Sequence, residues 1–172
     1  TCALPIYASS LDFGVQKITS KDQTYFAATQ KYKTVGATDE VKEGPNYVQV
    51  TDNRGTEAGW SLKVKQEGQF KSTSGKELTG AAITFKNGNV VTASDSGKPT
   101  GPATITLNSD GSQSDVMSAA KGNGAGTYLF DWGTDATTAA KSIELTVPGS
   151  TTKYAEKYAT KLTWTLTDAP GN

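Results

Sequence analysis

Apolar and polar residues alternate along stretch after stretch of this chain, with turn residues between the stretches. Trp60, Leu62 and Val64 share one parity, and Ser61, Lys63 and Lys65 take the other. Ala81, Ile83 and Phe85 repeat the pattern, as do Tyr128, Phe130 and Trp132, then Ile143, Leu145 and Val147. The last stretch carries Tyr158, Leu162, Trp164 and Leu166 in one parity. A period of two is the signature of a strand with one buried face. Strands polar on one face cannot be covered on both, which argues against a parallel α/β sheet. The chain therefore reads as all-β: an antiparallel β-sandwich, Ig-like or jelly-roll-like, with long polar loops.

The punctuation agrees with this. Asp52-Asn53-Arg54-Gly55 is turn chemistry, because Asp and Asn bond their own backbone and Gly accepts positive φ. Asn87-Gly88-Asn89 is a hairpin signal following Phe85. Leu11 to Val15 reads as a first strand and Tyr47 to Val50 as a second. Residues 19–46 read as a polar loop. Residues 108–126 read as another long loop, with a short helix over Asp115 to Ala120. At 172 residues one compact unit is expected. Residues 1–10 are expected to be a disordered or processed N-terminus, and residues 11–172 a single sandwich domain.

Composition removes several classes of function. Seventeen basic residues balance seventeen acidic ones, whereas a general nucleic-acid binder carries a basic excess to neutralise phosphates. Lys63 and Lys65 on one strand face, and Lys153, Lys157 and Lys161 at a spacing of four, read as solvated surface. No apolar run approaches the ~20 residues of a membrane helix, so no transmembrane segment is expected. The single cysteine, Cys2, has no intramolecular partner and reads as incidental.

Catalytic chemistry has little to work with. There is no histidine, so triads built on an imidazole base are excluded. No spacing singles out a carboxylate pair for glycoside cleavage. Asn108 to Asp115 has oxygen ligands and a glycine but lacks the spacing and closing Glu of a calcium loop. The glycines of Lys121 to Gly126 have no following Lys-Ser/Thr, which argues against a phosphate cradle. No cofactor, metal or catalytic residue is expected, and the chain reads as a non-enzyme.

The remaining candidates are two Trp-x-Leu triplets, Trp60-Ser61-Leu62 and Trp164-Thr165-Leu166. On a strand, each puts Trp and Leu on the same face about 6.6 Å apart. Such residues are either ordinary core or, if the two strands are neighbours, one apolar patch for a ligand. The first triplet follows Val50-Thr51-Asp52-Asn53-Arg54-Gly55-Thr56-Glu57-Ala58-Gly59. The second lies within Tyr158-Ala159-Thr160-Lys161-Leu162-Thr163-Trp164-Thr165-Leu166-Thr167-Asp168-Ala169-Pro170. With Leu11-Asp12-Phe13-Gly14, Leu78-Thr79-Gly80-Ala81 and Leu145-Thr146-Val147-Pro148, these segments resemble the WxL domain of Gram-positive surface proteins. The resemblance runs from about residue 10 to the end.

That resemblance implies an extracellular, cell-wall-associated protein held non-covalently, and the chain has no Leu-Pro-x-Thr-Gly sortase motif. Its implied partners are peptidoglycan or another wall glycan, and a membrane-anchored surface protein that interacts with WxL domains. The motif residues that carry over as binding candidates are Trp60, Leu62, Trp164 and Leu166. Two other readings stand beside it. One is a generic carbohydrate-binding module using Trp132 and surface tyrosines. The other is a protein–protein interaction domain whose edge strand accepts a partner's strand.

Overall fold

The computed structural model describes residues 6–33, 35–36 and 40–170. Cys2, the opening residues and the final Gly171 of the expected terminating turn lie outside them. Among the described residues, fifteen strands and one short helix follow in order: β1 (Ile6–Ala8), β2 (Gln23–Phe26), β3 (Gln30–Lys33), β4 (Val41–Gly44), β5 (Asn46–Asp52), β6 (Trp60–Gln66), β7 (Lys71–Ser72), β8 (Ala82–Phe85), β9 (Gly88–Val91), β10 (Ile105–Thr106), β11 (Gln113–Ala119), β12 (Gly126–Trp132), α1 (Ala136–Ala139), β13 (Ile143–Val147), β14 (Tyr158–Ala159) and β15 (Leu162–Thr167).

The fold is an antiparallel β-sandwich. One layer is the sheet β1-β5-β12-β9. Facing it are β10-β8-β13-β2 and β11-β6-β15. The layers meet through aromatic side chains on β12. Tyr128 packs on Trp60 of β6 at a ring-centroid distance of 6.2 Å. Trp132 packs on Phe85 of β8 at 4.7 Å and on Trp164 of β15 at 6.1 Å. Val48 and Val50 of β5 and Leu62 and Val64 of β6 complete the buried centre. The alternation seen in the sequence is this inward face, since β5 and β6 bury every second residue.

Several local expectations are corrected. Leu11 to Val15 is not a strand, because Gly14 adopts a φ of 73° and donates its N–H to Asp12 Oδ1 at 2.8 Å. The turn formed this way stops pairing, although Leu11 and Phe13 still pack on the core. Residues 19–46 are not a plain loop but hold β2, β3 and β4. β2 is a four-residue strand beside β13 that packs Tyr25 on the core, too short to show a repeat, and β3–β4 is a mostly exposed hairpin without an apolar face. Residues 115–119, expected to be helical, belong to strand β11. A register shift between Asp115 and Met117 places the consecutive Val116 and Met117 both inside. Such a bulge breaks the period of two that identifies a strand.

Asn87-Gly88 does not close a hairpin. It carries the chain from β8 in one layer to β9 in the other, with Asn87 at φ 57°. A Cβ on Gly88 would meet the Phe130 ring at 2.5 Å, so this crossing needs glycine. Residues 6–8, expected to stand outside the domain, pair with β5 as β1. Helix α1 is closed at its start by a capping box between Asp135 and Thr138.

Candidate functional site

The two triplets lie on hydrogen-bonded neighbours. β6 is the central strand of its sheet and β15 its edge. Antiparallel register sets Trp164 opposite Val64 and Leu166 opposite Leu62. All four motif side chains point toward the same core, but to different depths.

Trp60 is fully enclosed, at 0% exposure, and Leu62 at 1%. The indole N–H of Trp60 donates to the Gly124 carbonyl at 3.0 Å. Gly124 holds a φ of 83°, and a Cβ there would sit 2.7 Å from Trp60 Nε1. Within the glycine run of residues 121–126, Gly124 is therefore the position whose missing side chain lets the backbone approach this indole. Gly59, just before the motif, has a φ of 82°, and its Cβ would meet the Ala119 carbonyl at 2.5 Å.

Arg54 ties the ends of both motif strands together. Its guanidinium pairs with Asp52 at 2.9 Å, with the Asp52 side chain 1% exposed. The same group donates to the Gly59 carbonyl at 2.8 Å and reaches the Asp168 carbonyl at 3.5 Å. The side-chain hydrogen bond from Arg54 holds the Asp52 carboxyl below its ordinary range. Sequence reasoning reads Asp52 to Gly55 as a turn only. The Asp-x-Arg spacing is the available signal for the clamp, but which carbonyls it grips depends on the pairing of distant strands.

Trp164 and Leu166 are only partly covered. Trp164 leans on Trp132 and lines a groove of about 400 Å3. Leu162, Phe13, Phe70 and Ile83 supply further apolar wall, with Ser9, Ser10, Thr160 and Lys161 at the polar parts. Phe13 and Phe70 meet edge-on at 6.4 Å. The volume is within the range of small-ligand clefts, and the lining of aromatic wall with a few polar groups is of that kind. Sequence reasoning misses Phe13 and Phe70 as site residues, because neither belongs to a triplet and both are brought to β15 by loops.

The family model for "WxL domain surface cell wall-binding" matches residues 4–170 of this chain. The chain belongs to the WxL family. No curated protein and no solved structure gives a significant match. Membership makes this an extracellular protein that binds the cell wall, in a family defined by wall binding rather than by catalysis. No helix among the described residues is long and apolar enough to cross a membrane.

Of the WxL motif residues, then, Trp60 and Leu62 sit inside the sandwich while Trp164 opens on a groove. Trp132, a candidate for a carbohydrate platform on sequence grounds, is 2% exposed and is core. Its indole N–H and Gln66 Oε1 are buried without a hydrogen-bond partner among the described residues. A second groove, of about 430 Å3, lies over the outer face of β6 and β11 between Lys63, Asp115 and Pro102. Its charges are already matched, with Lys63 3.5 Å from Asp115. Lys65 is likewise paired with Glu67 at 3.6 Å, so the alternating lysines do not form a free basic patch. No cluster of three or more potential metal ligands occurs among the described residues.

Proposed function

We propose that this WxL protein is a non-catalytic anchor, holding itself non-covalently to the Gram-positive wall by binding peptidoglycan or a wall-associated partner. The observation that supports it is the groove beside the second triplet. Trp164, Phe13 and Phe70 offer aromatic surface against which the apolar face of a sugar ring or a partner's side chain can pack. Ser10, Thr160 and Lys161 border that surface with donors and acceptors for hydroxyl, amide or carboxylate groups. Trp60 and Leu62 contribute by fixing β6, against which β15 is registered.

The test is co-sedimentation with protein-stripped Gram-positive peptidoglycan. Wild-type protein is expected in the pellet. Trp164→Ala and Phe13→Ala, verified as folded by circular dichroism, are expected to be depleted from it. A soluble wild type would sink direct peptidoglycan binding and redirect the search to a membrane-anchored surface protein as the wall-side partner.

A second reading, a generic carbohydrate-binding module, is favoured by Tyr7 and Tyr47 on the outer face of the β1-β5-β12-β9 sheet. Their rings lie 5.3 Å apart, and Tyr7 is 50% exposed. Binding of soluble oligosaccharides that is lost in Tyr7→Ala and kept in Trp164→Ala would move the site to that face.

A further inference from the structure

The residues of the second triplet have an unused side as well as a buried one. In an antiparallel ladder, alternate residues direct both backbone groups to one neighbour. The N–H of Glu67 donates to the Lys161 carbonyl at 2.9 Å. With the register of β15 on β6, this assigns Thr163, Thr165 and Thr167 to the β6 side. Leu162, Trp164 and Leu166 then aim their N–H and C=O groups outward, away from β6. Among the described residues, no backbone or side-chain partner meets them there.

Other sheet edges carry devices that discourage pairing. β1, β2, β9 and β10 have four residues or fewer. β11 is bulged, and its outer side is bridged by Thr100 at Ser118. Short strands and bulges are the usual protections of an edge. β15 has six residues in unbroken register, no bulge, and threonines as every solvent-facing side chain. The groove opens along this same edge, between Leu162 and Trp164 on one side and Ala8 to Phe13 on the other.

We propose that β15 is an acceptor edge for an extended peptide segment of a partner protein. The segment adds as a further strand, bonded to the backbones of Leu162, Trp164 and Leu166. Its inward side chains are apolar, and one of them enters the groove between Phe13, Phe70 and Trp164. Backbone bonds hold such a strand, and alternate side-chain pockets select it. The bonds run to the backbone of β15, but the side-chain pocket is the groove proposed above for the wall ligand, so a bound strand and a wall glycan would compete there. An N-methylated control peptide tests the backbone bonds separately.

The test uses isotope-labelled protein and a synthetic eight-residue peptide alternating leucine and threonine. A control peptide is N-methylated on every second amide, which removes its bonding edge. In the free protein, the amides of Leu162, Trp164 and Leu166 are expected to exchange at least tenfold faster than those of Thr163 and Thr165. The peptide is expected to slow those three at least tenfold, and the methylated control to bind at least tenfold more weakly. Leu166→Pro removes one outward N–H while sparing every bond to β6, and is expected to weaken the peptide at least fivefold. Protection of the three amides in the free protein at all concentrations would show the edge covered by the chain itself. Protection that grows with protein concentration would show a second copy there. Either result overturns the proposal, as does a peptide that at millimolar concentration leaves the β15 amides unchanged.

Discussion

The same triplet occurs twice and meets two different environments. At Trp60 it lies on a central strand, with neighbours on both sides, complete burial and a bonded indole. At Trp164 it lies on an edge strand, half-covered, beside a groove. A Trp-x-Leu strand is thus a packing unit whose further use depends on what lies beside it. The central copy is enclosed in the core. The edge copy contributes to the core through Trp132 and still presents aromatic surface and backbone to the outside.

If that division is right, the largest effect belongs to Trp60→Ala. Removing an enclosed indole is expected to cost about 3–5 kcal/mol, read by denaturant unfolding. An effect near ~1 kcal/mol, the centre of the range for ordinary point mutants, would erase the contrast.

Next comes Arg54→Ala, which leaves the Asp52 carboxylate buried without its cation, at a cost of about 3 kcal/mol near neutral pH. Asp52 has a lowered folded pKa. Its contribution is therefore present above the unfolded value and lost as pH falls through the folded one. The gap between wild type and variant should accordingly narrow below about pH 4. Because Arg54 grips both motif strands, this variant sharpens the comparison by loosening the two copies together.

What the sequence makes legible follows the same line. Trp60, Leu62 and Val64, like Tyr128 to Trp132, announce themselves because a strand covered on one face must alternate. β11 does not, since its bulge puts Val116 and Met117 inside together. β2 to β4 do not, since β3–β4 is a mostly exposed hairpin and four-residue β2 turns little more than Tyr25 to the core. The triplets are visible as candidates, but their depth is not. Alternation gives a side chain's face and says nothing of whether its strand is central or at an edge. Phe13 and Phe70 are invisible as groove walls, because loops of unrelated sequence bring them to Trp164.

Trp164→Ala should cost less than Trp60→Ala, about 1–2 kcal/mol, because its side chain gives up a smaller buried area. Thermal unfolding of the two variants side by side measures the difference. A loss equal to that of Trp60→Ala would mean that the edge copy supports the core no less than the central one.

The smallest effect is expected on the layer opposite both triplets. Burial pushes the Asp131 carboxyl up to about 6. A raised folded pKa gives stability that is complete below the unfolded value near 4 and lost as pH rises through about 6. Asp131→Asn escapes that loss. It should gain about 1 kcal/mol at pH 8, after allowance for partial exposure, and nothing at pH 4. It sets a baseline that touches neither motif, and equal melting curves at pH 8 would contradict the burial argument.

The central claim is the division of labour between the two copies. Its most direct measurement is the fraction pelleted with peptidoglycan for Trp164→Ala beside Trp60→Phe, both held below their melting temperatures. Trp60→Phe gives up the bond to Gly124 but keeps an aromatic ring in the core. The expected result is a less stable Trp60→Phe that pellets like wild type, and a folded Trp164→Ala that stays in solution. A folded Trp60→Phe that no longer pellets, beside a Trp164→Ala that does, would contradict it.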